Sequence, residues 1–161
     1  MKKSIIFLLV AVLLISVGCS EEKSKAPEPA DPDEFAKQVV GQDEDNLIDK
    51  SSLEVISRVH SLLNNAVGWE NSPSDKQVEQ ISEMIPEIEK IIEKTNYKPL
   101  KEDLERFLKL VDAARPNERD DWIMPHRIVH DIDHFLLGRS TKENTEYWGE
   151  SEAVKTWMEM N

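Results

Sequence analysis

Apolar residues recur every three or four positions through most of the chain after residue 50, and this spacing predicts amphipathic helices. The first clear helix covers residues 51–67, where Ser51 and Glu54 form a capping-box pattern and Gly68 follows the last apolar position. Further helices are predicted at residues 74–94 with a kink at Pro86, at 99–115, and from Ser151 onward. Another predicted helix runs to Leu137 and is closed by Gly138, and Pro125 either starts or kinks it.

No stretch alternates apolar and polar residues for long enough to predict a sheet. The sequence therefore predicts an all-α protein: a small antiparallel helical bundle of about four main helices plus shorter ones. One of the shorter helices is predicted at residues 35–40. Residues 35–161 are expected to form this single helical domain.

The first twenty residues have the pattern of an export signal. Lys2 and Lys3 precede an apolar run at residues 5–15, which is too short for a relaxed membrane span. Ser16-Val17-Gly18-Cys19 follows, and this ending resembles the signal of bacterial lipoproteins, with Ser16 where leucine is usual. The resemblance implies that residues 1–18 are removed and that Cys19 carries lipid. An uncleaved signal anchor is the alternative.

Residues 19–34 combine Cys19 with a proline-rich, acidic stretch that has no large apolar side chain. Such a composition does not bury enough surface to fold, so we expect a disordered tether. Together with the lipoprotein resemblance, it predicts a domain that is lipid-anchored to the cell membrane and faces outside the cytoplasm. The membrane is then one partner, and another envelope protein is a candidate second partner.

Charge and cysteine content narrow the functional classes. The chain has 32 acidic against 20 basic residues and a formal net charge of -12, which argues against nucleic acid as a partner. Cys19 is the only cysteine, so the predicted domain has neither a disulfide nor a cysteine metal site. No catalytic motif is recognisable, and we therefore expect a protein that is not an enzyme.

Three of the four histidines are spaced four residues apart, at His126, His130 and His134. On one helix they form a stripe nearly opposite the main apolar face, so they face either water or a second packing surface. Neighbouring members of the stripe can chelate zinc or copper, but His126 and His134 are about 12 Å apart along the helix axis and cannot share an ion. His60 is the remaining histidine that can complete a site, and Asp131 or Asp133 can orient an imidazole.

Three interpretations of these histidines stay open. They are hydrogen-bonded or solvent-facing without a ligand, they bind metal or another cofactor, or they form a pH-responsive surface. Tyr147 and Trp148 lie in a predicted loop and form a candidate ligand or partner patch. We expect a binding or interaction module without a cofactor. The alternative is a helical protein that binds zinc or copper through His126, His130 and His134.

Overall fold

A computed structural model describes residue 31, residues 50–138 and residues 146–160. The described helices are α1 (Lys50–Val67), α2 (Asp75–Ser82), α3 (Ile85–Lys94), α4 (Lys98–Ala113), α5 (Arg119–Asp131) and α6 (Glu152–Met160). A 3₁₀ turn (Gly68–Glu70) follows α1, and a π-helical turn (Ile132–Leu136) continues α5. The described residues contain no strand, so the predicted all-α bundle is confirmed.

The prediction of one long helix at residues 74–94 is wrong, because the structure has two separate helices there, α2 and α3. Ser74 and Gln77 form a capping box at the start of α2. The chain then turns at Glu83 and Met84, and Pro86 lies in the first turn of α3. Proline is tolerated there because the first helical N–H groups have no intrahelical partner, so a new helix satisfies the backbone better than a kinked one.

Pro125 has the opposite outcome. Of the two positions predicted for it, the structure has the internal one, because α5 begins at Arg119 and contains Pro125. Seven residues later, at Ile132, the helix widens into the π-helical turn, where the Leu137 N–H donates to the Ile132 carbonyl over 3.1 Å. Gly138 ends this segment with a φ of 61°, which agrees with the predicted helix stop. Insertions of this kind are frequent at functional sites because they rotate the side chains that follow.

The core forms where α5 packs between α1 and α4, while α6 packs against α4. The side chains of Ile56, Leu63, Phe107, Trp122 and Ile128 are almost entirely buried there. Burial of large apolar side chains is the main favourable contribution to folding, and each contributes about 1.5–3 kcal/mol. The core therefore holds α1 and α5 side by side, which sets the distance between His60 on α1 and the histidines of α5.

Two buried carboxylates attach the segment before α6 to the bundle. Asp103 on α4 accepts hydrogen bonds from the Ser151 hydroxyl at 2.7 Å and the Ala153 N–H at 2.9 Å. Asp131 accepts from the backbone N–H groups of Trp148 at 3.2 Å and Glu150 at 2.7 Å. These contacts fix the backbone on both sides of Gly149, and so they determine where Trp148 lies.

The predicted signal peptide, the lipidation site Cys19, the tether and the short helix at residues 35–40 lie outside the described residues, apart from residue 31. Among the described helices, none combines the length and the apolar character that crossing a bilayer requires.

Candidate metal centre

All four histidines of the chain meet at one place in the fold. The His60 ring lies 5.5 Å from that of His126 and 5.1 Å from those of His130 and His134, between ring centroids. The stripe formed by α5 and the π-helical turn therefore faces α1. Of the two orientations that the sequence allowed, water or a second packing surface, the structure has the second. His60 and His130 are buried, and His126 and His134 are partly buried.

Asp133 fixes the orientation of His60. Its Oδ2 lies 2.8 Å from His60 Nδ1, and its Oδ1 accepts a hydrogen bond from the Ser57 hydroxyl. Burial raises the pKa of Asp133, but these two hydrogen bonds and the charges of His60 and His134 together outweigh burial and hold the pKa below its usual value. Because an ionised carboxylate only accepts, His60 Nδ1 carries the proton and donates it.

In the neutral form of the ring, His60 Nε2 is then the acceptor nitrogen. The Asn64 amide nitrogen donates to it over 3.0 Å, and the Asn64 amide oxygen accepts from His126 Nε2 at 2.7 Å. Asn64 is exposed, so its amide can turn away from the two rings and form hydrogen bonds with solvent. Such a rotation leaves His60 Nε2 and His126 Nε2 facing the same space.

His130 is oriented by the segment before α6. Its Nε2 lies 2.9 Å from the Glu146 carbonyl, and since a carbonyl only accepts, Nε2 must carry the proton. Burial lowers the pKa of His130 to about 4, although the bond to Glu146 acts in the other direction. The ring is therefore neutral at pH 7, and its Nδ1 presents a lone pair.

That lone pair points at His60. His130 Nδ1 and His60 Nε2 are 3.2 Å apart, and the bonds above make both of them acceptors. Two acceptors at this distance repel each other unless a cation or a proton lies between them. Two nitrogen ligands of a tetrahedral zinc ion, each about 2.0–2.1 Å from the metal, lie about 3.3–3.4 Å apart. The observed separation thus matches a pair of metal ligands.

A third imidazole completes the group. One nitrogen each of His60, His126 and His130 lie within 4.8 Å of one another. Burial, and then the charges of the neighbouring rings and arginines, lower the pKa of His126 to about 3, so this ring is also neutral at pH 7. Neutral imidazole is the form that binds a metal ion.

A second grouping places His60, Asp133 and His134 within the same distance limit. His134 Nδ1 is buried and has no hydrogen-bond partner among the described residues. For this grouping to bind a metal ion, His60 would have to lose its proton on Nδ1. Asp133 would have to replace its hydrogen bond to His60 with a bond to the metal. The first grouping keeps both contacts and requires only that the Asn64 amide turn away and that His126 carry its proton on Nδ1. It also leaves Asp133 as the carboxylate that orients a metal-binding histidine.

Trp148 and Tyr147, predicted together as a patch, have different surroundings. The Trp148 ring stacks on His130 with centroids 4.1 Å apart and contacts the edge of His126 at 5.2 Å. Tyr147 instead packs against Phe135 at 5.2 Å, and burial raises its pKa to about 12. Only Trp148 therefore belongs to the histidine cluster, where it shields His130 from solvent.

Ser57 and Asn64 were missed in the sequence, although a signal was present. They lie three residues before and four residues after His60, which places them on the same face of α1. Of the two carboxylates proposed to orient an imidazole, Asp133 does so and Asp131 binds the segment around Trp148.

No family model matches the chain, and neither a search of curated proteins nor one of solved structures found a similar protein. The interpretation of the site therefore depends on its geometry and chemistry.

Proposed function

We propose that the protein is an exported lipoprotein whose helical domain binds one divalent transition-metal ion, zinc or copper, through His60, His126 and His130. The observation that carries the metal site is the 3.2 Å contact between His60 Nε2 and His130 Nδ1, two nitrogens that repel each other unless a proton or a metal ion lies between them. Three imidazoles form a ligand set that suits both metals.

Two features of the surroundings support metal binding over a simple hydrogen-bonded network. Asp133 supplies a buried negative charge behind His60, which stabilises a bound cation and fixes the tautomer that the metal needs. The low pKa values of His126 and His130 also mean that protons compete weakly with a metal at neutral pH.

Calorimetric titration of the chelator-treated, full-length chain with zinc chloride tests the proposal. We expect one zinc ion per chain. Substitution of His60, His126 or His130 by alanine should each weaken binding by at least about tenfold, because the loss of a ligand should weaken binding no less than the loss of an outer-shell partner. His134→Ala removes a histidine of the same cluster and should stay within about threefold of the parent chain.

Asn64→Ala is a second control. If the histidines form only a hydrogen-bonded network, Asn64 is a central member of that network. Its replacement should then disrupt the cluster. If they bind metal, removing Asn64 frees two nitrogens, and zinc affinity should be maintained or increased. No zinc binding by the parent chain would contradict the function. Loss of affinity in His134→Ala but not in His126→Ala would contradict the ligand set.

The anchor is proposed from the resemblance of residues 1–19 to lipoprotein signals. Metabolic labelling with palmitate should mark the chain in a membrane fraction, and Cys19→Ala should abolish the label while leaving the chain intact. A chain that keeps its first residues and lacks the label would contradict lipidation without affecting the metal site.

A further inference from the structure

An open cleft of about 290 Å³ lies beside the histidine cluster, between the end of α1 and the first half of α5. Its wall includes Arg119, Arg127, Ile123, Val67 and the ring of Trp148, and His126 lies at the boundary with the cluster. The volume is close to the lower end of the range for small-molecule sites.

The charge of the cleft is opposite to that of the protein. The chain has a net charge of -12, yet two guanidinium groups line this one cavity. Neither arginine forms an ion pair with a carboxylate among the residues that the structure describes. The Nε of Arg119 is buried and, within the same part of the chain, makes no hydrogen bond. A buried charged donor without an acceptor is costly, and an anion in the cleft would remove that cost.

The rest of the wall is apolar and partly planar. The guanidinium of Arg127 lies 5.5 Å from the centroid of the Trp148 ring, which is a favourable cation–π distance. A guanidinium held in this way keeps N–H groups at its edge for a carboxylate, which it can bind through two parallel hydrogen bonds. Ile123 and Trp148 offer contact to a hydrocarbon or aromatic group attached to that carboxylate.

We propose that this cleft binds a small organic carboxylate, with its carboxylate group held by Arg119 and Arg127 and its apolar part against Ile123 and Trp148. A bare oxyanion would leave the apolar wall uncovered, and a neutral ligand would leave the two guanidinium charges without a counter-charge. The proposal is independent of the metal site, since no metal ligand is needed to hold the carboxylate.

The test uses benzoate as the probe and the chelator-treated, full-length chain, so that zinc binding does not influence the result. Calorimetry or ligand-detected NMR should show saturable binding of benzoate. Benzamide, a neutral molecule of nearly the same shape, should bind at least about tenfold more weakly because it offers no charge to the two guanidiniums. Inorganic phosphate should also bind more weakly, since it lacks an apolar part.

Variants locate the site. Arg119→Gln and Arg127→Gln should each weaken benzoate binding by at least about tenfold. Arg58→Gln removes the same charge from an exposed position on α1 and should leave binding unchanged. The comparison of benzoate with benzamide uses the unaltered chain, so it stands even where a variant fails to fold.

Three results would overturn the proposal: no benzoate binding, equal affinity for benzoate and benzamide, or equal weakening by Arg58→Gln and Arg119→Gln. If phosphate bound as tightly as benzoate, the claim that Ile123 and Trp148 contribute to binding would be overturned. Each outcome leaves the zinc titration unaffected, so failure of this site and failure of the metal site are distinguishable.

Discussion

Replacement of Asp133 by asparagine separates the electrostatic role of this residue from its shape. In the structure Asp133 accepts from His60 Nδ1 with one oxygen and from Ser57 with the other. An asparagine oxygen can still accept from His60, and its amide nitrogen can donate to the Ser57 hydroxyl oxygen. The substitution therefore keeps both contacts and removes only the negative charge behind the proposed metal ligand.

The size of the effect follows from distance. With His60 Nδ1 2.8 Å from the carboxylate, a metal on the far side of the ring lies about 7 Å from the charge. At that distance a divalent ion and a carboxylate attract each other by about 1–5 kcal/mol, for effective dielectric constants between 80 and 20. Outer-shell substitutions at metal sites usually weaken binding by about 10–100-fold, or about 1.4–2.8 kcal/mol, which lies within this range.

A competition titration of zinc between the protein and a coloured chelator at pH 7.5 measures the change. We expect Asp133→Asn to bind zinc about 10–100-fold more weakly than the parent chain. The control is Asp120→Asn, which removes an exposed charge from the same helix and should be neutral. Circular dichroism checks that both variants keep their helices. Equal zinc affinity for Asp133→Asn and the parent chain would refute the role assigned to the carboxylate.

Three further predictions concern the fold. Trp122→Ala empties a fully buried site in the core and should lower the free energy of unfolding by about 3–5 kcal/mol in urea titrations; a loss under about 1 kcal/mol would contradict its place in the core. Asp103→Ala removes the acceptor that attaches the start of α6 and should lower the free energy of unfolding by about 1–3 kcal/mol. Unchanged stability would contradict this role. Burial raises the pKa of both tyrosines, Tyr97 and Tyr147, from 10 to about 12. Because their folded pKa values are above the unfolded ones, the stability they contribute is present below pH 10 and is lost as the pH rises through 12. Tyrosinate absorbance should therefore appear near pH 12, and half-titration near pH 10 would contradict the burial.

The helices were predictable from sequence wherever their apolar spacing and end signals agreed. The end of α1 at Val67, the capping box before α2 and the stop at Gly138 all follow from local rules. The two internal prolines show the limit of such rules. Both Pro86 and Pro125 disfavour an uninterrupted helix, yet only at Pro86 does the chain start a new one, and tertiary packing decides between these outcomes.

The candidate site was only partly predictable for a related reason. Residue spacing places His126 and His130 on one face of a helix, and His60 was a candidate by elimination. Their convergence depends on how α1 and α5 pack, which involves residues 66 positions or more apart in the chain. The roles of Asp133 and Trp148 depend further on the π-helical turn and on the segment fixed by Asp131, and no periodicity reports either of these.

Anomalous diffraction at the zinc absorption edge, from crystals of the zinc-loaded protein, tests the central claim most directly. We predict one strong peak within bonding distance of His60 Nε2, His130 Nδ1 and a nitrogen of His126, with the Asn64 amide turned away. A peak held by His134 and Asp133, or peaks only at exposed carboxylates, would contradict the metal centre described above.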